Sequence, residues 1–392
     1  MHHKGVNFVS MTDPFPKPVY ITQPLLPDLA EFKNLLESVW ESKQLTNNGK
    51  MAKRLESELA SFLHAEHLSL FSNGTIALQL ACRILRLHGE VITTPFTFAA
   101  TSHALYWNNL KPVFCDIEEN TYTLDPDKIE ELTTPETTAI LPVHVYGNPC
   151  KVDKIQEIAY KHGLRVIYDA AHAFGVEVSG LPICSFGDIS MFSLHATKIY
   201  HTIEGGALSF NSPWLKKRAD ELRNFGIVNE EKVMEPGMNG KLNEIQAAMG
   251  LLLLKQVEKE IGRRKEITRL YRDMLQDIPG LFCSRDMEGV KHNYPYFVVR
   301  IGRDDFGMDR NDLYNKLKEY NIFARKYFYP LCSSFNCYRN LSSADGLNLP
   351  VAEKISEQVL ALPLYGGLSN ENVEKICCII RHIAAGQNVS EA

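Results

Sequence analysis

The sequence predicts an α/β protein: a mostly parallel, seven-stranded sheet with helices on both faces, followed by a smaller C-terminal α+β domain. Three observations point there. Short β-branched runs alternate with stretches of helical apolar spacing through the first two-thirds of the chain. After Lys241 that alternation stops and long helical patterns take over. A length of 392 residues suits about two domains.

Taken in order, the strand candidates are His67–Phe71, Glu90–Thr93, Pro112–Asp116, Ala139–Val143, Arg165–Asp169, Asp188–Phe192 and Gly206–Phe210. Between them Thr75–Leu87 and Val152–His162 carry apolar residues at helical spacing. Residues 241–277 read as one long helix or two joined ones, with good helix formers and no proline before Pro279. Tyr296–Ile301 is then a strand, Asp309–Tyr320 a helix, Ala352–Leu360 a short helix and Glu371–Ile383 a final amphipathic one. The expected division is an N-terminal extension over 1–18, a large α/β domain over 19–265 and a small α+β domain over 266–392. The first ten residues look like an extension ahead of a second possible start at Met11.

Composition excludes several functions. Apolar residues make up 45% and charged residues 23%, as in ordinary soluble globular proteins. With 42 basic and 47 acidic residues the formal net charge is −5, which gives no footprint for nucleic acid. The longest apolar run, Ala247–Leu254, is far short of a membrane span. Met1–Pro18 is polar and proline-punctuated, without the apolar core of a secretory signal. The nine cysteines are scattered, with no CxxC pair and no zinc spacing, so a reduced cytoplasmic protein without a metal is expected.

In a doubly covered parallel sheet, ligands bind where loops converge at the carboxyl ends of strands. Four segments there carry chemistry. Ser193-Leu194-His195-Ala196-Thr197-Lys198 follows a strand and precedes Glu204-Gly205-Gly206. A lysine there can be partly desolvated and become a Schiff-base nucleophile, with a solvated loop lysine as the alternative; Ser193 suits a phosphate, and the glycines allow close backbone approach. Asp169 ends a buried strand in Tyr168-Asp169-Ala170-Ala171-His172 and needs a basic partner. The pyridinium nitrogen of pyridoxal phosphate (PLP) would be one, and capping of a following helix is the alternative. Ser72-Asn73-Gly74-Thr75 turns from strand to helix and offers an anion site, or is one of the many such turns that bind nothing. Pro95-Phe96-Thr97-Phe98 could lay an aromatic face on a flat cofactor, or belong to the core.

Together these segments resemble the DegT/StrS-type nucleotide-sugar aminotransferases, within the fold type I PLP enzymes. The resemblance also rests on Leu45-Thr46-Asn47-Asn48-Gly49, Pro142-Val143-His144-Val145-Tyr146-Gly147 and Gly237-Met238-Asn239-Gly240-Lys241, and it runs from about residue 19 to the C-terminus. It implies that Lys198 carries the cofactor as a Schiff base and that Asp169 pairs with the pyridine nitrogen. His172 would lie near the ring hydroxyl, Phe98 would stack on the ring, and Gly74, Thr75 and Ser193 would hold the phosphate. Asn239 would reach the phosphate of the neighbouring subunit, making the active unit a homodimer with shared sites. Relatives that dehydrate replace the lysine with histidine, so an intact Lys198 favours amino transfer.

For substrate, the resemblance points to Thr46, Asn47 and Asn48 and to Arg325, Lys326 and Tyr329, where cations could pair with a diphosphate or simply be solvated. The compact Leu45–Gly49 motif is more similar to sugar 4-aminotransferases than to 3-aminotransferases. The implied reaction converts a nucleotide-linked 4-keto-6-deoxysugar, dTDP-linked by preference, to its 4-amino form with glutamate as donor. The cofactor would shuttle between PLP and pyridoxamine phosphate (PMP), and the product would enter a surface polysaccharide such as O-antigen, or a glycosylated metabolite. Amination at C3, amination of a cyclitol, or a PLP-binding regulator without turnover remain alternatives.

Overall fold

The computed structural model describes residues 11–386. Residues 1–10 of the expected extension and 387–392 of the expected C-terminal domain lie outside the described residues. Helices α1 (Leu29–Ser42) and α2 (Lys50–Phe62) precede the sheet. Then follow β1 (His67–Phe71), α3 (Gly74–Ile84), β2 (Glu90–Thr93), α4 (Ala99–Tyr106), β3 (Lys111–Phe114), β4 (Thr137–Leu141), α5 (Val152–His162), β5 (Arg165–Asp169), β6 (Ile189–Ser193), β7 (Gly206–Phe210) and α6 (Pro213–Leu222).

Seven strands form one sheet in the order β1-β7-β6-β5-β4-β2-β3. All run parallel except β7, which is antiparallel to both β1 and β6. Alternate side chains enter different cores: Val166, Tyr168, Phe192 and Ala207 pack on one face, Ile167, Met191 and Leu208 on the other. Burial on both faces is why these strands read as continuous apolar runs. The reversal of β7 matters for function. It places Gly206, the first residue of β7, level with Phe71 and Ser193, the last residues of its neighbours.

The predicted long helical stretch is two helices, α7 (Glu244–Leu254) and α8 (Val257–Leu275). A three-stranded antiparallel sheet follows, built from β8 (Leu281–Cys283), β9 (Phe297–Ile301) and a strand late in the chain. It is accompanied by α9 (Arg310–Glu319), α10 (Pro350–Gln358) and α11 (Asn370–Ala385). The late strand corrects the sequence reading. Val359 and Leu360 do not continue the preceding helix but open β10 (Val359–Leu362), which pairs with Phe297–Arg300. The Val-Leu-Ala-Leu run is fully buried, and ladder pairing with β9 overrides helix propensity. The buried Arg310 guanidinium donates to the carbonyls of Ser356 and Val359 at the junction.

The described part of the N-terminal segment is docked on the C-terminal region. Phe15 is buried and its N–H donates to the Tyr320 carbonyl, while Val19–Tyr20 pairs in parallel with Ile322–Phe323.

Candidate active site

Three strand ends converge on the site. Asp169, the last residue of β5, is 4% exposed. Its Oδ2 accepts a hydrogen bond from Thr101 Oγ1 at 2.8 Å, and its Oδ1 accepts from the Ala171 N–H at 3.1 Å. Residues 170–176 form turns, so Asp169 does not cap a helix. Burial pushes its carboxyl above the usual carboxylate range, against the hydrogen bonds from Thr101 and Ala171 and the charge of Lys198.

Lys198 lies in the connection from β6 to β7, which folds back on itself. The N–H groups of Leu194, Ala196 and Thr202 donate to the carbonyls of Gly205, Ile203 and Leu194, and the Lys198 N–H donates to His195. The half-buried Lys198 is thereby held beside Asp169. Burial pushes its ammonium below the ordinary lysine range, against the pull of Asp169 and Tyr327. An amine whose charged form is disfavoured by burial, beside a buried acid, suits Schiff-base and proton-transfer chemistry.

An anion cradle is built where β1, β6 and β7 meet. Asn73 caps α3 by accepting from the Ile76 N–H at 2.8 Å. A Cβ added at Gly74 would sit 3.3 Å from Ser193 Cβ, so the turn and Ser193 are in contact. A Cβ added at Gly206 would come within 2.6 Å of the Asn73 carbonyl oxygen and 2.8 Å of the Gly74 nitrogen. Only glycine at 206 lets the turn close. Thr75 is exposed on the first turn of α3, and the Ser72 hydroxyl, just before the cap, is buried without a partner among the described residues. Free helix N–H groups, two hydroxyls and the Ser193 side chain are a donor set suited to a phosphate monoester.

His172 is 5% exposed, and its Nδ1 accepts from the Tyr146 N–H. Its ring packs edge-on against Tyr296 and parallel to Phe328, with centroids 5.1 and 5.8 Å away. Burial and Lys198 hold the imidazole well below its usual pKa, hence neutral. The two phenylalanines of the Pro95–Phe98 segment diverge. Phe96 is core, against Tyr122, Tyr146 and Phe328. Phe98 stands 62% exposed at the start of α4, free to present its ring.

The two expected substrate segments are not brought together within one chain. Thr46, Asn47 and Asn48 are exposed; the two asparagines adopt positive φ and line a cavity of about 340 Å³ with Arg223, Asn224 and Lys241. Arg325 is exposed and its backbone pairs with Ala361. Lys326 hydrogen-bonds Asn311 and sits over the Tyr314 ring, and the half-exposed Tyr329 ring covers Arg310. Asn239 is exposed, in a turn fastened to the cradle by the bond from Ser72 N–H to the Gly240 carbonyl at 2.7 Å.

Two residues of the site were not singled out from sequence. Thr101 stands one helical turn beyond Thr97, which it contacts at 3.0 Å, and that i, i+4 hydroxyl pair at a helix start was the available signal. Tyr327, between the expected contacts Lys326 and Tyr329, lies within electrostatic reach of Lys198, and its carbonyl accepts from Tyr146 Oη. The residues present fit PLP: a buried acid for a pyridinium, a lysine pressed towards neutrality and a phosphate cradle closed by Gly206.

Comparison with known proteins agrees. Over 361 residues, 92% of this chain and 97% of the relative, the sequence is 49% identical to the dTDP-4-amino-4,6-dideoxy-D-glucose transaminase of Escherichia coli. It is 46% identical to the transaminase of the same name from Shigella dysenteriae, over 94% and 99% of the two chains. The structure superposes on crystalline DesI, determined in the presence of its TDP-sugar product, with a TM-score of 0.92 and 34% identity over 97% of this chain and 96% of that one. Residues 28–381 match the model of one family, and the chain belongs to it: the DegT/DnrJ/EryC1/StrS aminotransferase family, whose cofactor is PLP.

Proposed function

We propose that this aminotransferase transfers the amino group of glutamate to C4 of dTDP-4-dehydro-6-deoxyglucose, giving the 4-amino-4,6-dideoxysugar. The observation that carries the chemistry is the juxtaposition of Lys198, in the folded-back connection from β6 to β7, with the buried Asp169, whose oxygens accept from Thr101 and Ala171. The substrate follows from the near full-length similarity to two transaminases named for that product.

When bound, PLP supplies the electron sink that makes Cα–H cleavage of an amino acid feasible. The chain supplies the rest. Gly74, Thr75 and Ser193 would hold the phosphate, Phe98 and His172 would lie against the ring, and Asp169 would keep the ring nitrogen protonated. A cationic nitrogen facing Asp169 stabilises its carboxylate and so returns its pKa towards the ordinary range. Lys198 anchors the cofactor. With the cofactor bound, the Lys198 Nζ would serve as the base that takes the Cα proton of glutamate and as the acid that gives it back, and water would then complete the release of 2-oxoglutarate by hydrolysis. The same groups work in reverse order on C4 of the keto-sugar.

In the same proposal the active unit is a homodimer. Asn239 crosses to the partner's phosphate, and the 46–48 turn and the 325–329 segment meet across the interface around one nucleotide-sugar. The enzyme works in the cytoplasm, and its product enters a surface polysaccharide of the O-antigen type. The test is a panel of dTDP-, UDP- and GDP-linked 4-keto-6-deoxyhexoses offered with glutamate to the purified holoenzyme, with products read by mass spectrometry. The dTDP compound is expected to react faster than either other by about tenfold or more in kcat/KM. Faster turnover of a UDP or GDP compound, or no spectral change of the cofactor on adding glutamate, contradicts the proposal.

A further inference from the structure

Asn293 is 1% exposed and lies between the short strand Val290–Lys291 and β9, in the C-terminal third of the chain. Its Nδ2 donates to two carbonyls of the loop that follows Asp169: His172 at 2.9 Å and Phe174 at 3.0 Å. An amide offers two hydrogens on one nitrogen, so both are used. Its Oδ1 is buried and has no hydrogen-bond partner among the described residues, and it faces Gly147, where an added Cβ would approach within 2.5 Å. Gly147 adopts φ +85°, and the preceding residue, Tyr146, donates its N–H to His172 Nδ1. A second contact fixes the same segment: Val290 and Lys291 pair with Val178 and Glu177, just beyond the loop. Asn293 thus stands between the two loops that hold the His172 ring, gripping one by hydrogen bonds and the other by close packing.

We infer that Asn293 is a positioning residue of the active site: by holding the His172 and Phe174 carbonyls it sets the His172 ring against the cofactor. It touches no reacting atom. The inference rests on the reading that His172 flanks the PLP ring. Each hydrogen bond binds a backbone group of the loop, so losing both frees the His172 backbone while the Tyr296 and Phe328 contacts remain. A ring misplaced by about an ångström is enough to slow turnover strongly without weakening substrate binding.

The test compares Asn293→Ala and Asn293→Ser, the latter keeping one donor and serving where the alanine variant does not fold, with two references. Tyr271→Phe removes a buried hydroxyl that donates to the Pro363 carbonyl, outside the site, and controls for lost stability. His172→Ala reports whether that ring matters. In the cofactor-free protein, amide hydrogen exchange of residues 172–176 is expected to quicken by about tenfold or more in the Asn293 variants and not in Tyr271→Phe. In the holoenzyme the visible circular dichroism of bound PLP should weaken in the Asn293 and His172 variants alike. Their kcat should fall by about tenfold, with KM for glutamate within about twofold of wild type. If His172→Ala alters the cofactor signal and the Asn293 variants lose only melting temperature, the positioning role is wrong while the site stands. If His172→Ala leaves signal and kcat unchanged, the His172 reading falls and this inference with it.

Discussion

Thr101 reaches from the first turns of α4 to donate a 2.8 Å hydrogen bond to Asp169 at the end of β5, across 68 residues of sequence. With the Ala171 N–H on the other oxygen, each carboxylate oxygen has one donor and lone pairs to spare. The carboxylate is fixed in direction but left short of positive charge, and burial raises its pKa accordingly. A pyridinium facing it would supply what is missing.

The sign of that shift gives a test in the cofactor-free protein. A carboxyl whose folded pKa lies above its unfolded value adds stability below the unfolded value and loses it as pH rises through the folded one. Asp169→Asn does not titrate. Cofactor-free Asp169→Asn should therefore melt at or above the wild-type temperature at neutral pH, with the difference closing as the pH is lowered. Its holoenzyme should lose about a hundredfold or more in kcat. Near-normal turnover means that Asp169 only braces Thr101 and Ala171.

Lys198 is expected to carry the cofactor covalently. Borohydride reduction followed by peptide mapping should place the pyridoxyl group on Lys198, and Lys198→Ala should abolish turnover while cofactor still binds through the cradle. A label on another lysine contradicts the assignment.

Gly206→Ala probes the cradle. Gly206 has no positive φ; what it provides is space, since a Cβ would lie 2.6 Å from the Asn73 carbonyl oxygen. The methyl should destabilise the fold by about 1–3 kcal/mol. It should also weaken PLP binding by about tenfold, ~1.4 kcal/mol, through displacement of the turn 72–75. PLP titration followed by fluorescence measures this, and unchanged affinity would separate the cradle from phosphate binding.

Much of this was legible in sequence because it is local. The strand-end residues Asp169 and Ser193, and Lys198 just beyond the latter, stand in short motifs, and seven apolar runs mark the sheet strands. What escaped was long-range. Val359 and Leu360 suit a helix until β9 is present to pair with them. Thr101 and Asn293 look like ordinary polar residues until folding brings them to partners 68 and 121 positions away. The paired aromatics Phe96 and Phe98 could be sorted only by seeing which one the core takes.

The shared site can be tested by subunit mixing. Lys198→Ala and an Asn239 variant with impaired phosphate binding are each expected to be inactive. In a mixed dimer one site carries both lesions and the other neither, so activity should return to about one wild-type site per heterodimer. No recovery after verified subunit exchange, or an active monomer, contradicts sharing.

The position of the transferred nitrogen is the most direct measurement. Holoenzyme supplied with 15N-glutamate and dTDP-4-dehydro-6-deoxyglucose should yield a sugar whose 15N is bonded to C4, seen as one-bond coupling by NMR, with 2-oxoglutarate formed in equal amount. Nitrogen at C3, or none in the sugar while glutamate still converts the cofactor, would contradict the account.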